Sequence, residues 1–285
     1  MATAVTPMPD SRDNIILAPD SRLLPPDLLC RDSYAIGPLA SHTIQLWRVR
    51  EPKRLSMDMP AVKSDLWAHV WAASLLLAHV SSVVIAKQVV AATVLDIGTG
   101  MGISSIALAQ AGAASVVATD FAPEALEMGR LNAELNGISS FKLDFRYLNW
   151  HEPLDAALVG RFDIVVGADV TYMRNALGGI VRVIGDSLLP GGVAVIVDAG
   201  RPMVEDFEDL CFDQGLVATH YDLFKYQTAV CILRKAAIIV VTKGEPSQRS
   251  VAVHQHIAEF CKMSTGAPHP PQEIHANEFG CCQKT

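Results

Sequence analysis

The 285-residue sequence predicts one α/β domain built on a mostly parallel sheet with helices on both faces. Three observations carry this. Strand and helix signals alternate from Thr93 to Gln214. The strands near residues 94, 164 and 193 are almost continuous runs of Val, Ile and Ala, the pattern of strands buried on both faces. Half of the residues are hydrophobic, enough for one substantial core, and no internal repeat divides the chain.

In chain order, residues 1–40 are rich in Pro, Asp and Ser without periodicity and read as a flexible N-terminal segment. The folded domain is expected over 41–243. Thr43 to Arg50 alternates as a strand, placed in a small hairpin over the ligand site, and Ser64 to about Val84 has the apolar spacing of a helix. The alternating elements are Thr93–Ile97, Ile103–Ala111, Ser115–Thr119, Pro123–Asn136, Lys142–Tyr147, Phe162–Ala168, Leu177–Leu188, Val193–Val197 and Met203–Gln214, with final strands at Leu216–Phe224 and Ala236–Thr242. Residues 244–285 mix His, Pro, Gln and Ser and read as a disordered tail.

Composition excludes several classes. The net charge is −7 and Lys and Arg are scattered, so no surface that tracks phosphates is expected and no nucleic-acid partner. The six cysteines form no C-x-x-C pair and no His/Cys cluster at metal spacing, so no metal is expected. The start Met1-Ala2-Thr3-Ala4 lacks a charged segment followed by an apolar core. A reduced, cytoplasmic protein, monomeric and without a membrane span, is the expectation. The longest apolar stretch, Val70 to Ala86, holds His79 and several serines and reads as a core helix.

The chemistry concentrates in Val94-Leu95-Asp96-Ile97-Gly98-Thr99-Gly100-Met101-Gly102, a strand, an acidic residue and three alternating glycines opening into a helix. Glycines permit a sharp turn and close approach of backbone to a ligand. A dinucleotide fingerprint needs its third glycine three residues after the second, but that position is Ile103. Twenty-two residues beyond Gly98, Asp120 ends the next strand, where a carboxylate can hold both hydroxyls of a ribose. It can also cap the helix that begins at Phe121-Ala122-Pro123-Glu124.

The D-x-G-x-G-x-G order resembles motif I of the class I methyltransferases that use S-adenosylmethionine (SAM) and release S-adenosylhomocysteine. The resemblance implies a Rossmann-like seven-stranded, mostly parallel sheet. It lays Gly98, Gly100 and Gly102 against the methionine part of the cofactor, puts Asp96 at its amino end and Asp120, with neighbouring Phe121, at the ribose.

Four further segments narrow the resemblance, over roughly residues 45–242, to the seven-strand protein lysine methyltransferases called family 16. Val70-Trp71-Ala72-Ala73 is similar to a segment whose Trp contacts the cofactor, leaving Trp67, one helical turn earlier, as a packing residue. Leu148-Asn149-Trp150 resembles the segment beside the adenine. Gly167-Ala168-Asp169-Val170-Thr171-Tyr172 resembles the group's G-A-D-x-x-Y. There Ala168 leaves room for the adenosine, Asp169 orients the acceptor amine or caps the following helix, and Tyr172 forms part of the channel wall. Val197-Asp198-Ala199-Gly200-Arg201 resembles an Asp-Pro-Gly-Arg segment without its proline, and Asp96 stands where the narrower group has Glu. The implied function is methyl transfer from SAM to a lysine of a protein substrate. A small-molecule N- or O-methyltransferase and a SAM-binding scaffold without transfer activity remain as alternatives.

Overall fold

The computed structural model describes residues 23–36, 42–55, 59, 62, 64–227 and 232–264. Most of the N-terminal segment expected to be flexible (1–22 and 37–40) and the last part of the expected tail (265–285) lie outside the described residues.

A two-stranded antiparallel hairpin comes first, β1 (Leu29–Ile36) against β2 (His42–Val49), with Asp32 and Arg48 paired across it. Half of this hairpin falls inside the N-terminal segment read as flexible. The polar run Arg31-Asp32-Ser33 hid the strand, which buries Tyr34 and Ile36 on one face and Leu29 on the other.

The main sheet has seven strands: β3 (Thr93–Ile97), β4 (Ser115–Asp120), β5 (Leu143–Tyr147), β6 (Phe162–Ala168), β7 (Leu188–Asp198), β8 (Leu216–Gln227) and β9 (Ile232–Lys243). Their order is β5-β4-β3-β6-β7-β9-β8, parallel except for β9, which pairs antiparallel with both neighbours. Strand order reverses between β3 and β6, so their carboxyl ends open a crevice where ligands bind in sheets of this kind.

Side chains of the central strands alternate between two apolar layers: Val94, Ile164, Val166 and Val195 enter one, Leu95, Val165, Ala194 and Ile196 the other. The first layer is covered by α1 (Ala72–His79), α2 (Ala86–Val89), α3 (Ile103–Gln110) and the sheet side of α4 (Pro123–Leu135). The second is covered by α5 (Arg174–Ser187) and α6 (Val204–Asp213).

Two expectations are corrected. The continuous helix over Ser64–Val84 is broken: a 3-10 turn at Leu66–Ala68 is followed by extended backbone to Trp71, then α1, a π turn at Val80–Val84 and α2. Trp71 starts α1 in extended conformation (ψ 147°), its carbonyl accepting the Ser74 amide and hydroxyl. Apolar spacing reported the buried face but could not see this break.

The tail expected to be disordered contains α7 (Gln248–Ser264). Its narrow stripe of Val253, Ile257 and Cys261, four residues apart, enters the first layer. His254 bonds the Tyr221 hydroxyl (2.9 Å) and the Thr242 hydroxyl (3.2 Å), and Arg249 pairs with Asp163 at 2.5 Å. Among the described residues, no helix is long and apolar enough to cross a membrane and no group of His, Cys, Asp and Glu is placed to hold a metal.

Candidate functional site

The crevice at the ends of β3, β4 and β6 holds an open pocket, about 770 Å³ with the solvent at its mouth included. Of the residues singled out in the sequence, Trp71, Gly98, Gly100, Asp120, Phe121, Trp150, Ala168, Asp169 and Tyr172 line it together. Asp96, Gly102 and Asn149 lie off its wall.

The glycine loop explains its own residues. Gly98 has φ +69°, and a Cβ there would stand 3.1 Å from the Trp150 ring and from Val170. Gly100 has φ +54° and would meet the Trp67 carbonyl at 3.1 Å. Gly102 starts α3 at φ +88° and faces Gly129 and Phe145 rather than the pocket.

The loop's amides are engaged internally: Thr99 N–H on the Thr119 carbonyl (2.9 Å), Gly100 N–H on Asp120 Oδ2 (3.0 Å) and Gly102 N–H on the Thr99 carbonyl (3.0 Å). A phosphate loop would turn such groups toward the ligand. Among the described residues no Lys or Arg lines the pocket either, while Asp120 and Asp169 do. The site therefore suits a ligand without phosphate and with positive charge.

Asp120 braces the turn between β4 and α4 and lines the pocket. Oδ1 accepts the Ala122 amide at 3.0 Å, fixing the chain just before α4, and the residue remains on the pocket wall. Burial raises its pKa against these backbone donors.

Asp96 works from behind the loop. Its Oδ2 accepts the hydroxyls of Thr99 (2.9 Å), Ser104 (2.6 Å) and Ser105 (2.6 Å), gathering the loop and the first turn of α3 onto one buried oxygen. Burial pushes its pKa up to about 6 despite these donors, with the Asp120 charge adding to the rise. The folded state then holds this proton more tightly than the unfolded chain. The contribution of Asp96 to stability is greatest at low pH, falls as pH rises from about 4 to 6, and is flat above, a loss of about 3 kcal/mol. Denaturation across pH 4 to 7 should show a steeper decline in the wild type than in Asp96→Asn, where only the other carboxylates raised by burial, Asp120 and Asp198, still contribute. Asp163, whose pKa burial would raise but the Thr93 and Arg249 donors lower, acts below that window.

Asn149 donates its side-chain amide to Glu152 Oε1 (2.8 Å) and accepts the His151 amide (3.1 Å), shaping the turn that presents Trp150. Trp71 is 37% exposed at the mouth and donates its indole N–H to the Leu66 carbonyl (2.9 Å), so only its face is free for a ligand. Trp67, expected to be a packing residue, lines the pocket, and among the described residues its buried N–H has no acceptor. The break before α1 brings both residues to the pocket, Trp67 with its side chain packed in the core beneath.

The strongest electrostatic feature joins β6 and β7. Asp169 has φ +56°, uncommon for a residue other than glycine. Arg201 grips its carboxylate with Nε to Oδ1 and Nη2 to Oδ2, both 3.1 Å, and the Ala199 amide adds 3.3 Å. Asp198 is fully buried, accepts the Arg201 amide at 2.5 Å and holds the Thr171 hydroxyl, and burial raises its pKa. Tyr172 stands beside this set. Burial and then the Asp120 charge raise its phenol, which stays protonated at neutral pH.

A model of the lysine methyltransferase family matches residues 51–205, more than half of the chain and all of the pocket-bearing strands β3, β4 and β6. The chain belongs to the lysine methyltransferase family. Among its relatives, the ribosomal protein L11 methyltransferase of Dechloromonas aromatica is 32% identical over 116 residues, 41% of this chain and 35% of that one. That of Lactobacillus delbrueckii is 42% identical over 74 residues, 26% and 22% of the two chains. The match thus spans about a third or less of these relatives. The Thermus thermophilus 16S rRNA N2 G1207 methyltransferase, solved with AdoMet and guanosine, superposes with a TM-score of 0.52 at 23% identity, over 76% of this chain and 51% of that one. The fold is that of the class I methyltransferases.

One residue of the family domain that the sequence did not mark links the hairpin to the glycine loop. Asn132 on α4 is fully buried; Oδ1 accepts the Trp47 amide (2.6 Å), and Nδ2 donates to the Trp47 and Met101 carbonyls (3.1 and 2.9 Å). Asn132→Ala strands these buried backbone groups. It should cost about 2 to 3 kcal/mol in chemical denaturation and, by freeing Met101, weaken SAM binding measured by calorimetry.

Proposed function

We propose that this family member transfers a methyl group from SAM to the side-chain amine of a lysine in a protein. The observation that carries the cofactor is the pocket's lining: three loop amides engaged internally, no Lys or Arg among the described residues of the wall and two carboxylates facing inward. SAM has no phosphate and carries a sulfonium, and it supplies an already activated methyl carbon. Asp120 takes the ribose hydroxyls. Trp150, packed edge-on against Gly98, offers a flat face to the adenine, with Ala168 leaving it backbone room. Trp71 and Phe121, both partly exposed, stand at the mouth and keep water from the transfer.

For the acceptor, the remaining requirement is alignment of an unprotonated amine. Asp169 attracts the lysine as a cation and orients it, while Tyr172, held neutral, lines the approach. A free lysine has a pKa near 10.4. Desolvation, against the pull of the Asp169 charge, favours release of its proton to water at the open mouth, after which the amine lone pair would take the methyl carbon as its bond to sulfur breaks. The relatives named for methylation of ribosomal protein L11 support a protein acceptor, as do the acidic overall charge and, among the described residues, a wall without Lys or Arg. A reduced, cytoplasmic setting belongs to the same reading.

Incubating the purified chain with SAM carrying a radioactive methyl and a cell extract tests it. Label in a discrete protein band, and methyl-lysine on its digestion, is the expected result. Label confined to small solutes would favour a metabolite methyltransferase, and SAM binding without any labelled acceptor would favour the scaffold.

A further inference from the structure

The carboxylate assigned to the acceptor amine is already gripped by the chain's own guanidinium. We propose that Arg201 is an internal occupant of the acceptor-cation subsite, held on Asp169 in the resting protein and displaced when a substrate ammonium enters from the pocket side. This inference rests on the reading of Asp169 as the group that receives the acceptor.

The pair is asymmetric in the way a displaceable occupant requires. The Asp169 side chain is 6% exposed and the Arg201 side chain 37%. Asp169 belongs to the pocket wall, and Arg201 does not line the pocket but reaches the carboxylate from outside it. Asp169 is fixed independently of its partner: its amide bonds the Val197 carbonyl at 2.8 Å, and the Ala199 amide holds Oδ1. The backbone of Arg201 is likewise fixed independently of its side chain, through its amide on the buried Asp198. The guanidinium can therefore leave without moving either strand end.

Charge explains why an occupant is needed. Asp169 and Asp198 are both buried, and among the described residues Arg201 is the cation paired with Asp169. Vacating Asp169 would leave a buried carboxylate uncompensated, which is strongly unfavourable. Replacing one cation by another keeps the balance. Because the Arg201 side chain is 37% exposed, its guanidinium can move into solvent as the incoming cation takes its place. The arrangement selects for a cationic acceptor and against a neutral hydroxyl, because a hydroxyl could not take the place of the guanidinium charge.

The test uses the full chain saturated with S-adenosylhomocysteine, with n-butylammonium as a lysine side-chain probe and n-pentanol as its neutral counterpart, binding being followed by NMR. Arg201→Gln should bind n-butylammonium about tenfold more tightly than the wild type. n-Pentanol binding should not change, and the gain should vanish in the Asp169→Asn/Arg201→Gln double variant. Equal binding to Arg201→Gln and wild type, or a gain that survives loss of the Asp169 charge, would overturn the proposal. If Arg201→Gln does not fold, the wild type still decides. Its Arg201 Nε–Hε resonance, identified by its loss in Arg201→Lys, should move saturably toward the position of a solvent-exposed arginine as n-butylammonium is added, and a resonance that stays in place would overturn the proposal. None of these readouts needs methyl transfer. A labelled protein lysine without exchange at Asp169 would sink this inference alone; exchange without any labelled protein would sink the protein-lysine reading and leave the cation subsite standing.

Discussion

Gly179→Ala is expected to destabilise the protein by about 4 kcal/mol, a fall of roughly 10 °C in Tm, while Gly178→Ala one position earlier stabilises it slightly. The two glycines are adjacent on α5. A Cβ at Gly178 meets nothing within 4 Å, whereas at Gly179 it would lie 2.1 Å from the Trp150 carbonyl oxygen and 2.8 Å from its carbon. That neighbour is backbone, so no rotamer change relieves the clash and α5 must lift. Lifting α5 breaks the bonds from Arg182 to the carbonyls of Trp150 and Glu152, at 2.9 and 2.7 Å. The Trp150 ring, packed on Gly98, then loses its support, so SAM affinity should fall together with stability. At Gly178 the only effect is the smaller backbone entropy of alanine in a helix, worth about 0.5 to 1 kcal/mol. Thermal unfolding of both variants, with SAM binding measured well below their midpoints, separates the two. Equal Tm values would mean that α5 does not sit on the Trp150 carbonyl.

This contrast marks what a sequence can and cannot reveal. The sheet was legible because Val94 and Leu95, Ile164 to Val166, and Val193 to Val197 are apolar on both faces of their strands, which only a doubly covered sheet requires. The glycine loop was legible because its spacing alone departs from that of a pyrophosphate-binding turn. Gly179 was not, because its constraint comes from Trp150, brought against α5 only by the tertiary fold. The same holds for Arg201 and Asp169, 32 residues apart and joined only because β6 and β7 are neighbours. That Trp67, a packing residue as read, also borders the pocket was not legible, because helical spacing cannot register the extended backbone between Ala68 and Ala72. The last helix was missed because its buried stripe of Val253, Ile257 and Cys261 is narrow and set among polar residues. Asp96 was read as a cofactor contact because its position in the motif was visible, whereas the three hydroxyls that claim Oδ2 depend on how α3 begins.

Asp169→Asn is expected to lower the rate of methyl transfer about a hundredfold or more and to leave SAM affinity within about threefold of the wild type. Asparagine is the informative replacement. It keeps the shape of the side chain, an oxygen for the Ala199 amide, and a tolerance for the left-handed backbone at φ +56°. It removes only the charge that orients a cationic acceptor. Asp169→Ala would mix that loss with about 1 kcal/mol of backbone strain, so its lower activity would be harder to assign. Tyr172→Phe gives the scale for comparison: burial holds the phenol protonated, so it acts as wall rather than base, and its loss should cost less than about tenfold. The ribose and adenine contacts proposed for Asp120 and Trp150 lie on other residues of the pocket, which is why SAM binding should survive the Asn change. Wild-type turnover in Asp169→Asn would remove Asp169 from the chemistry. A parallel loss of SAM binding would make it a structural residue of the wall, and only loss of transfer with binding retained assigns the carboxylate to the acceptor.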